Sequence, residues 1–250
     1  MVVPTYNERE RLGELTDALF DACGAHHVEL ELVIVDDNSP DGTGAIADAL
    51  ARSRRMTVIH RAGKLGLGTA VVAGFGVASA EIVGVMDADF SHPPSLVPRM
   101  LAVLLATNAD VLVASRYVPG GSTPDWPAAR RALSRAACLL ARPLSPIRDA
   151  ASGFFLIRRS IAAGVEIKAG GFKICLELLV RAWPTRLVEI PYRFDDREQG
   201  ESKMSMREAA GYLIQLKDLY RMVWSDRERP PREYRQLSLG EVDAIVQAAR

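Results

Sequence analysis

The sequence predicts an α/β protein built on a mostly parallel sheet with helices on both faces. Three observations carry this. Apolar runs of strand length alternate with helical patterns from residue 30 to residue 114. The runs are continuously apolar rather than alternating, as strands buried on both faces must be. Polar clusters follow nearly every run, and sheets of this kind bind ligands beyond the carboxyl ends of their strands. The chain has 250 residues, 25% charged and 48% apolar, which is enough for a packed core. Its formal net charge is zero, so no global field recruits nucleic acid, and any basic site must be local.

The elements follow in order. Met1-Val2-Val3 is the first strand, either a short edge or the end of one that starts upstream. Leu30 to Val35 is a strand stopped by Asp36, and Gly42 to Arg52 a helix. Met56 to His60 is a strand, Leu67 to Ala80 a small-residue helix, and Ile82 to Met86 a strand. Pro93 to Thr107 is a helix with proline in its first turn, and Asp110 to Ala114 a strand. A Gly/Pro loop spans Tyr117 to Asp125, and Trp126 to Arg148 is helical in part. Gly153 to Arg158 is a strand, Gly171 to Trp183 a helix and Leu187 to Phe194 a strand. Asp195 to Ser205 is a polar loop, Met206 to Trp224 an amphipathic helix, and the remainder a charged tail. The expected organisation is therefore a catalytic domain over 1–205, the helix over 206–224 and the tail over 225–250.

The chain opens Met1-Val2-Val3-Pro4, so no signal peptide is expected. Its longest apolar stretch, Ala70 to Met86, is broken by Glu81 and rich in Gly and Ala, so no transmembrane helix is expected. Cys23, Cys138 and Cys175 are scattered and odd in number. They build neither a disulfide framework nor a zinc site, which suits a reducing compartment, and they read as small core residues.

Four polar clusters sit at the strand ends: Pro4-Thr5-Tyr6-Asn7-Glu8, Asp36 to Thr43, Arg61 to Gly68, and Asp87-Ala88-Asp89. Helix capping explains any one of them, but it does not call for Tyr, Glu, paired Asp and Lys together. Two aspartates one residue apart at the end of a buried strand repel each other unless solvent or a cation takes their charge. Hard cations such as Mg2+ or Mn2+ take oxygen ligands, and Mg2+ is usually held by one or two carboxylates plus substrate phosphates. A metal at Asp87 and Asp89 therefore predicts a diphosphate ligand.

Pro4 to Glu8, Val35 to Thr43, Leu65-Gly66-Leu67-Gly68-Thr69-Ala70, and Asp87-Ala88-Asp89 with His92-Pro93-Pro94 resemble the nucleotide-sugar-binding half of family 2 glycosyltransferases, and among them the polyprenyl-phosphate mannose synthases. The resemblance continues through Ser115-Arg116-Tyr117, Trp126 with Arg130 and Ser134, Asp149 with Ser152-Gly153-Phe154, and Gly171-Phe172-Lys173 with Glu177. It ends through Glu189-Ile190-Pro191 and Arg197 with Gly200-Glu201-Ser202-Lys203, so it covers about residues 2–205. It implies a GT-A fold, a GDP-mannose donor, a divalent metal, a polyprenyl phosphate acceptor and inversion at the sugar. Carried over, Pro4, Tyr6, Glu8, Val35 and Asp37 hold the nucleoside. Asp87, Ala88 and Asp89 hold the diphosphate, the sugar and the metal, and Arg116, Arg197 and Lys203 bind phosphates. Many members carry Gln two residues after the second aspartate as a third metal ligand. This chain has Ser91 there, so a hydroxyl or a water replaces the amide.

The chemistry of the residues agrees. A phosphate monoester is already an anion near neutral pH and needs little or no general base. It needs positioning beside the donor diphosphate, hence cations between them. Arg116, Arg130, Arg131, Arg197 and Lys203 are the candidates, with Ser134 beside the acceptor phosphate. Trp126 to Arg148 holds five arginines and no acid until Asp149, so it reads either as a solvated basic face or as a contact with lipid headgroups. The 206–224 helix places Leu213, Leu216, Tyr220 and Val223 on one face, which suits core packing or a bilayer surface. Some relatives continue here into membrane spans. The expected partners are thus a membrane surface, at its cytoplasmic face, and a separate membrane-anchoring protein. Two readings stay open beside mannosyl transfer: the same chemistry with another donor such as UDP-glucose, and a non-catalytic nucleotide-sugar sensor. A processive polysaccharide synthase is disfavoured, because no Gln-x-x-Arg-Trp precedes Trp126, Trp183 or Trp224.

Overall fold

The computed structural model describes residues 1–167, 173–195, 206–226 and 228–249, and the side chains of 206–208 are not among those described. The first half is a run of strand–helix units: β1 (Val2–Thr5), α1 (Arg9–Gly24), β2 (Leu32–Asp36), α2 (Thr43–Ala51), β3 (Met56–His60), α3 (Leu67–Val77), β4 (Ile82–Val85) and α4 (Leu96–Ala106). Then follow β5 (Val111–Ser115), α5 (Ala128–Ala141), β6 (Phe155–Arg158), α6 (Arg159–Ala162), α7 (Ile174–Arg181) and β7 (Arg186–Pro191). The chain closes with α8 (Met206–Ser225), β8 (Glu233–Gln236) and α9 (Leu239–Ala248).

The strands form one sheet in the order β3-β2-β1-β4-β6-β5-β7-β8. Every observed pairing is parallel except those of β6, which runs antiparallel to β4 and β5. The parallel strands therefore all end on one edge, and β6 begins there. That edge collects the loops after β1, β2, β4 and β5 together with the approach to β6. The core is split by the sheet into two large clusters, one around Leu12, Ile34, Met100 and Phe154, the other around Val83, Phe155, Leu176 and Leu219. Each fully buried leucine of this kind contributes roughly 1.5–3 kcal/mol.

Two parts of the chain depart from the sequence expectation. α1 was not anticipated, although Leu12, Leu15, Leu19 and Cys23 form its buried stripe; four charged residues in its first six, Arg9, Glu10, Arg11 and Glu14, mask that spacing. The segment from 225 onward, expected as a charged tail, extends the sheet as β8 and packs α9 through Leu237, Val242 and Val246 into the first core. Ser238 and Glu241 make a capping box at the start of α9, a pattern visible in the sequence. Trp183 anchors the approach to β8: its indole N–H donates to the Pro230 carbonyl at 3.0 Å, and Arg229 and Arg232 lie over its ring at 4.3 and 3.4 Å.

α8 is mainly a core helix. Leu216 and Leu219 are buried in the second cluster, with Tyr220 and Val223 partly so. Leu213, expected on the same face, is exposed together with Ile214 and Trp224. The Tyr212 and Tyr220 hydroxyls donate to the carbonyls of Ala137 and Leu140, which ties α8 to α5.

Candidate active site

Most polar groups after β1 and β2 bond one another. The Asn7 amide donates to Ser39 Oγ, the Glu8 amide to Thr43 Oγ1 and the Arg9 amide to Asp41. Asp36 accepts from Thr5 Oγ1 and from the Ser39 amide and hydroxyl. These bonds satisfy the amides that the start of α1 leaves open, so Asp36, Ser39, Asp41 and Thr43 are scaffold. Asp37 is different. Its buried Oδ1 meets Arg61 Nε at 3.1 Å. Burial pushes its carboxyl up, and the nearby charge of Arg61 only partly offsets this. Arg61 also donates to the Gly66 carbonyl and Thr69 Oγ1, fixing the loop that carries Lys64. The Lys64 ammonium lies 3.9 Å from the ring centre of Tyr6, which is itself exposed. Tyr6, Asp37 and Lys64 thus gather at the ends of three neighbouring strands. Pro4 and Val35 face each other in the β1–β2 register.

The loop after β4 holds the aspartate pair. Asp87 is partly open, whereas Asp89 is buried. The Asp87 amide donates to His92 Nδ1 at 2.9 Å, which places the imidazole proton on Nε2, 3.8 Å from Asp87 Oδ2. Burial pushes the His92 pKa down, against the charges of Asp87 and Asp89. Ser91 donates to Asp89 Oδ1 through both its amide, at 3.1 Å, and its hydroxyl, at 2.5 Å. Arg11, on α1, donates to the Asp89 carbonyl at 3.0 Å. Ala88 is buried between the two carboxylates in sequence. Gly153 faces this loop: a Cβ there would lie 3.5 Å from both Asp87 oxygens and 3.3 Å from the His92 ring.

On the far side of the edge, Arg116 forks onto the fully buried Asp149. Nε and Nη2 each donate at 2.7 Å, and the Arg116 amide adds a third bond at 3.0 Å. Burial opposes the Arg116 charge, yet Asp149 holds its pKa well above the usual arginine value. The guanidinium lies 5.2 Å from the Trp126 ring centre, and that of Arg130 lies 4.0 Å from it. Arg131 donates to the Trp126 carbonyl at 2.6 Å. Ser134 borders the Tyr117 hydroxyl. Trp126 is thus the hub on which Arg116, Arg130 and Arg131 converge, and cation–π attraction holds the first two there.

Aromatic rings join the two clusters. His92 stacks on Phe154 at 4.8 Å and meets Phe194 edge-on at 6.0 Å; Phe194 in turn meets Trp126 at 5.2 Å. The aspartate pair and the arginine hub are therefore neighbours across one packed bridge. Arg197 and Lys203 lie outside the described residues, as does Gly171-Phe172. Arg11, Arg61, His92 and Asp149 support the site, as does Glu189, whose carboxylate accepts the Asp149 amide, and the sequence alone assigns none of them a role. Four of the five stood inside quoted motifs; Arg11 carried no signal beyond its charge.

No group of three or more His, Cys, Asp or Glu able to hold a metal ion occurs among the described residues. The aspartate pair is a two-carboxylate site that needs oxygen from elsewhere. This geometry, at the carboxyl edge of a mostly parallel sheet, is accompanied by a match of residues 1–165 to the pattern of glycosyl transferase family 2. The chain belongs to that family. It is 36% identical to the dolichol-phosphate mannosyltransferase of Pyrococcus furiosus over 98% of its own length, and spans 66% of that relative. It is 41% identical to the polyprenol monophosphomannose synthase of Mycolicibacterium smegmatis, over 82% of this chain and 80% of that one. The fold is shared with glucosyl-3-phosphoglycerate synthase from Mycobacterium tuberculosis, solved with Mn2+, UDP and glucosyl-3-phosphoglycerate, at a TM-score of 0.60 and 20% identity over 88% of this chain and 77% of that one. As a family 2 glycosyltransferase, the chain has the GT-A architecture expected from the sequence. No helix among the described residues is long and apolar enough to cross a membrane.

Proposed function

We propose that this glycosyltransferase moves mannose from GDP-mannose to a polyprenyl monophosphate, with inversion and with Mg2+ or Mn2+ bound. The observation that carries the reading is the aromatic bridge, because it sets a two-carboxylate edge beside an arginine hub. The names of the Pyrococcus and Mycolicibacterium relatives support the sugar and the lipid acceptor. The Mn2+ in the structural neighbour supports the metal.

The donor set fits a hard divalent cation. Asp87 and Asp89 offer oxygen only, and diphosphate oxygens and water complete such a site. Gly153 keeps the space beside Asp87 clear. When bound, the metal neutralises charge on the leaving diphosphate. We assign Ser91 to orienting Asp89, since both of its donors are spent there. Tyr6 and Asp37, with Pro4, Glu8 and Val35, would take the nucleoside. Arg116, with Arg197 and Lys203, would bind the diphosphate side, and Arg130, Arg131 and Ser134 the acceptor phosphate. That phosphate attacks the sugar carbon as an anion, so these residues orient it and offset charge rather than remove a proton.

The α5–α8 surface suits the lipid. Leu133, Leu139 and Leu140 on α5 and Leu213, Ile214 and Trp224 on α8 are exposed, and Arg135 and Arg142 share α5 and its end with them. Apolar side chains among cations fit an anionic bilayer surface, with each cation worth about 1 kcal/mol. We place the enzyme on the cytoplasmic face of a membrane, with a separate membrane-anchoring protein as its partner.

The test is transfer of radiolabel into organic-extractable lipid by the purified chain, given Mg2+ or Mn2+, a short polyprenyl phosphate and either GDP-mannose or UDP-glucose. Metal-dependent product from GDP-mannose is the expected result. Product from UDP-glucose alone would overturn the donor assignment. Tight donor binding without product from either would favour the sensor.

A further inference from the structure

We propose that Tyr234 is a positioning residue for Arg116, acting through Glu189 and Asp149. The proposal rests on the reading of Arg116 as a phosphate-side cation. Arg116 is held by Asp149, and what holds Asp149 is a second buried carboxylate. Glu189 Oε1 accepts the Asp149 amide and Oε2 the Arg148 amide, both at 2.9 Å. Glu189 and Asp149 are both completely buried. A buried carboxylate keeps its place only while donors surround it. One of those donors comes from the last strand: the Tyr234 hydroxyl donates to Glu189 Oε2 at 2.6 Å.

The donor's origin gives the inference its content. Tyr234 stands opposite Leu187 in the β7–β8 register, and β8 is an edge strand outside the family match at residues 1–165. Packing alone would be met by phenylalanine. The hydroxyl is the part that reaches the Glu189 carboxylate, and Glu189 ties the 148–149 turn to β7. The chain of contacts then runs from Tyr234 Oη to Glu189, to the Asp149 amide, and from the Asp149 carboxylate to the Arg116 fork. The last strand of the fold thereby sets where a site guanidinium points.

The test is Tyr234→Phe, alone and in an Arg116→Lys background. Alone it lowers kcat about tenfold, the effect of one hydrogen bond to a charged group, and raises the KM for the donor with it, since Arg116 stands on the diphosphate side. In the Arg116→Lys background it costs nothing further. A second readout does not depend on transfer. The Arg116 Nε–H proton, assigned in NMR spectra by its loss in Arg116→Lys, exchanges with solvent about tenfold faster in Tyr234→Phe, since its Asp149 partner is less firmly held. Unchanged Nε–H exchange, or equal loss of kcat in both backgrounds, would overturn the proposal. If the wild-type chain transfers no sugar, the functional reading fails while the exchange measurement still decides the role of Tyr234.

Discussion

The two sides of the site edge are built differently. On the β1–β2 side, the polar groups that bond one another are mostly part-buried or exposed, and they finish the start of α1. The residues left for a ligand, Tyr6, Asp37 and Lys64, are largely separate from that scaffold. On the β5–β7 side, scaffold and site share the same residues. Asp149 is fully buried; its carbonyl accepts the Ser152 amide while its carboxylate aims Arg116. The difference teaches where function can be changed without changing the fold. A nucleoside-side substitution acts on binding, whereas an arginine-side substitution acts on binding and stability together.

The largest expected effect comes from breaking the coupled side. Asp149→Ala leaves Arg116 as an uncompensated buried charge and costs about 3–5 kcal/mol of stability. Urea unfolding would show the unfolding free energy, the product of slope and midpoint, fall by that amount. A loss under about 1 kcal/mol would mean that the pair is not the structural keystone described. Asp87→Ala sharpens the contrast. Asp87 is partly open and its carboxylate supports no strand, so the melting temperature should hold. Transfer should fall about 10³-fold, because removing a ligand of the proposed metal would remove several kcal/mol of charge stabilisation. Equal loss of stability in the two variants would erase the distinction between the sides.

How much of this was legible in the sequence follows the same divide. The strands of the first half were plain, since Val33, Ile34 and Val35 are apolar without alternation. The four clusters at the strand ends and the aspartate pair were plain too, because each is a compact run of residue types that chemistry rarely assembles by chance. Which members of a run serve the ligand was not. Asp36, Ser39, Asp41 and Thr43 look like ligand residues, and only the geometry shows them spent on α1. The arginine side was less readable. Its logic joins Arg116, Asp149, Glu189 and Tyr234, single residues 33, 40 and 45 positions apart. No local pattern marks such a chain. β8 and α9 were hidden because a Pro-containing, charged stretch precedes them, though the Ser238–Glu241 capping box was there to be read.

The smallest expected effect tests the nucleoside side by pH. In the proposed nucleoside-binding role, Asp37 accepts hydrogen bonds from the base as a carboxylate. Burial pushes its carboxyl above the ordinary carboxylate value of about 4. Donor affinity should therefore be full at neutral pH and fall as pH drops through this raised pKa, earlier than for an ordinary aspartate. The stability sign is the opposite. A carboxyl whose folded pKa is raised binds protons more readily folded than unfolded, so its ionised form opposes folding above the unfolded pKa. Asp37→Asn should then weaken the binding of GDP-mannose severalfold, abolish the acid dependence of that binding, and leave the melting temperature at pH 7 equal to or above that of the wild type. Calorimetric titration across pH 4.5–7 with parallel melts checks both signs. A drop in melting temperature with Asp37→Asn would show that this carboxylate, like Asp149, belongs to the scaffold, and the two sides of the edge would then be built alike.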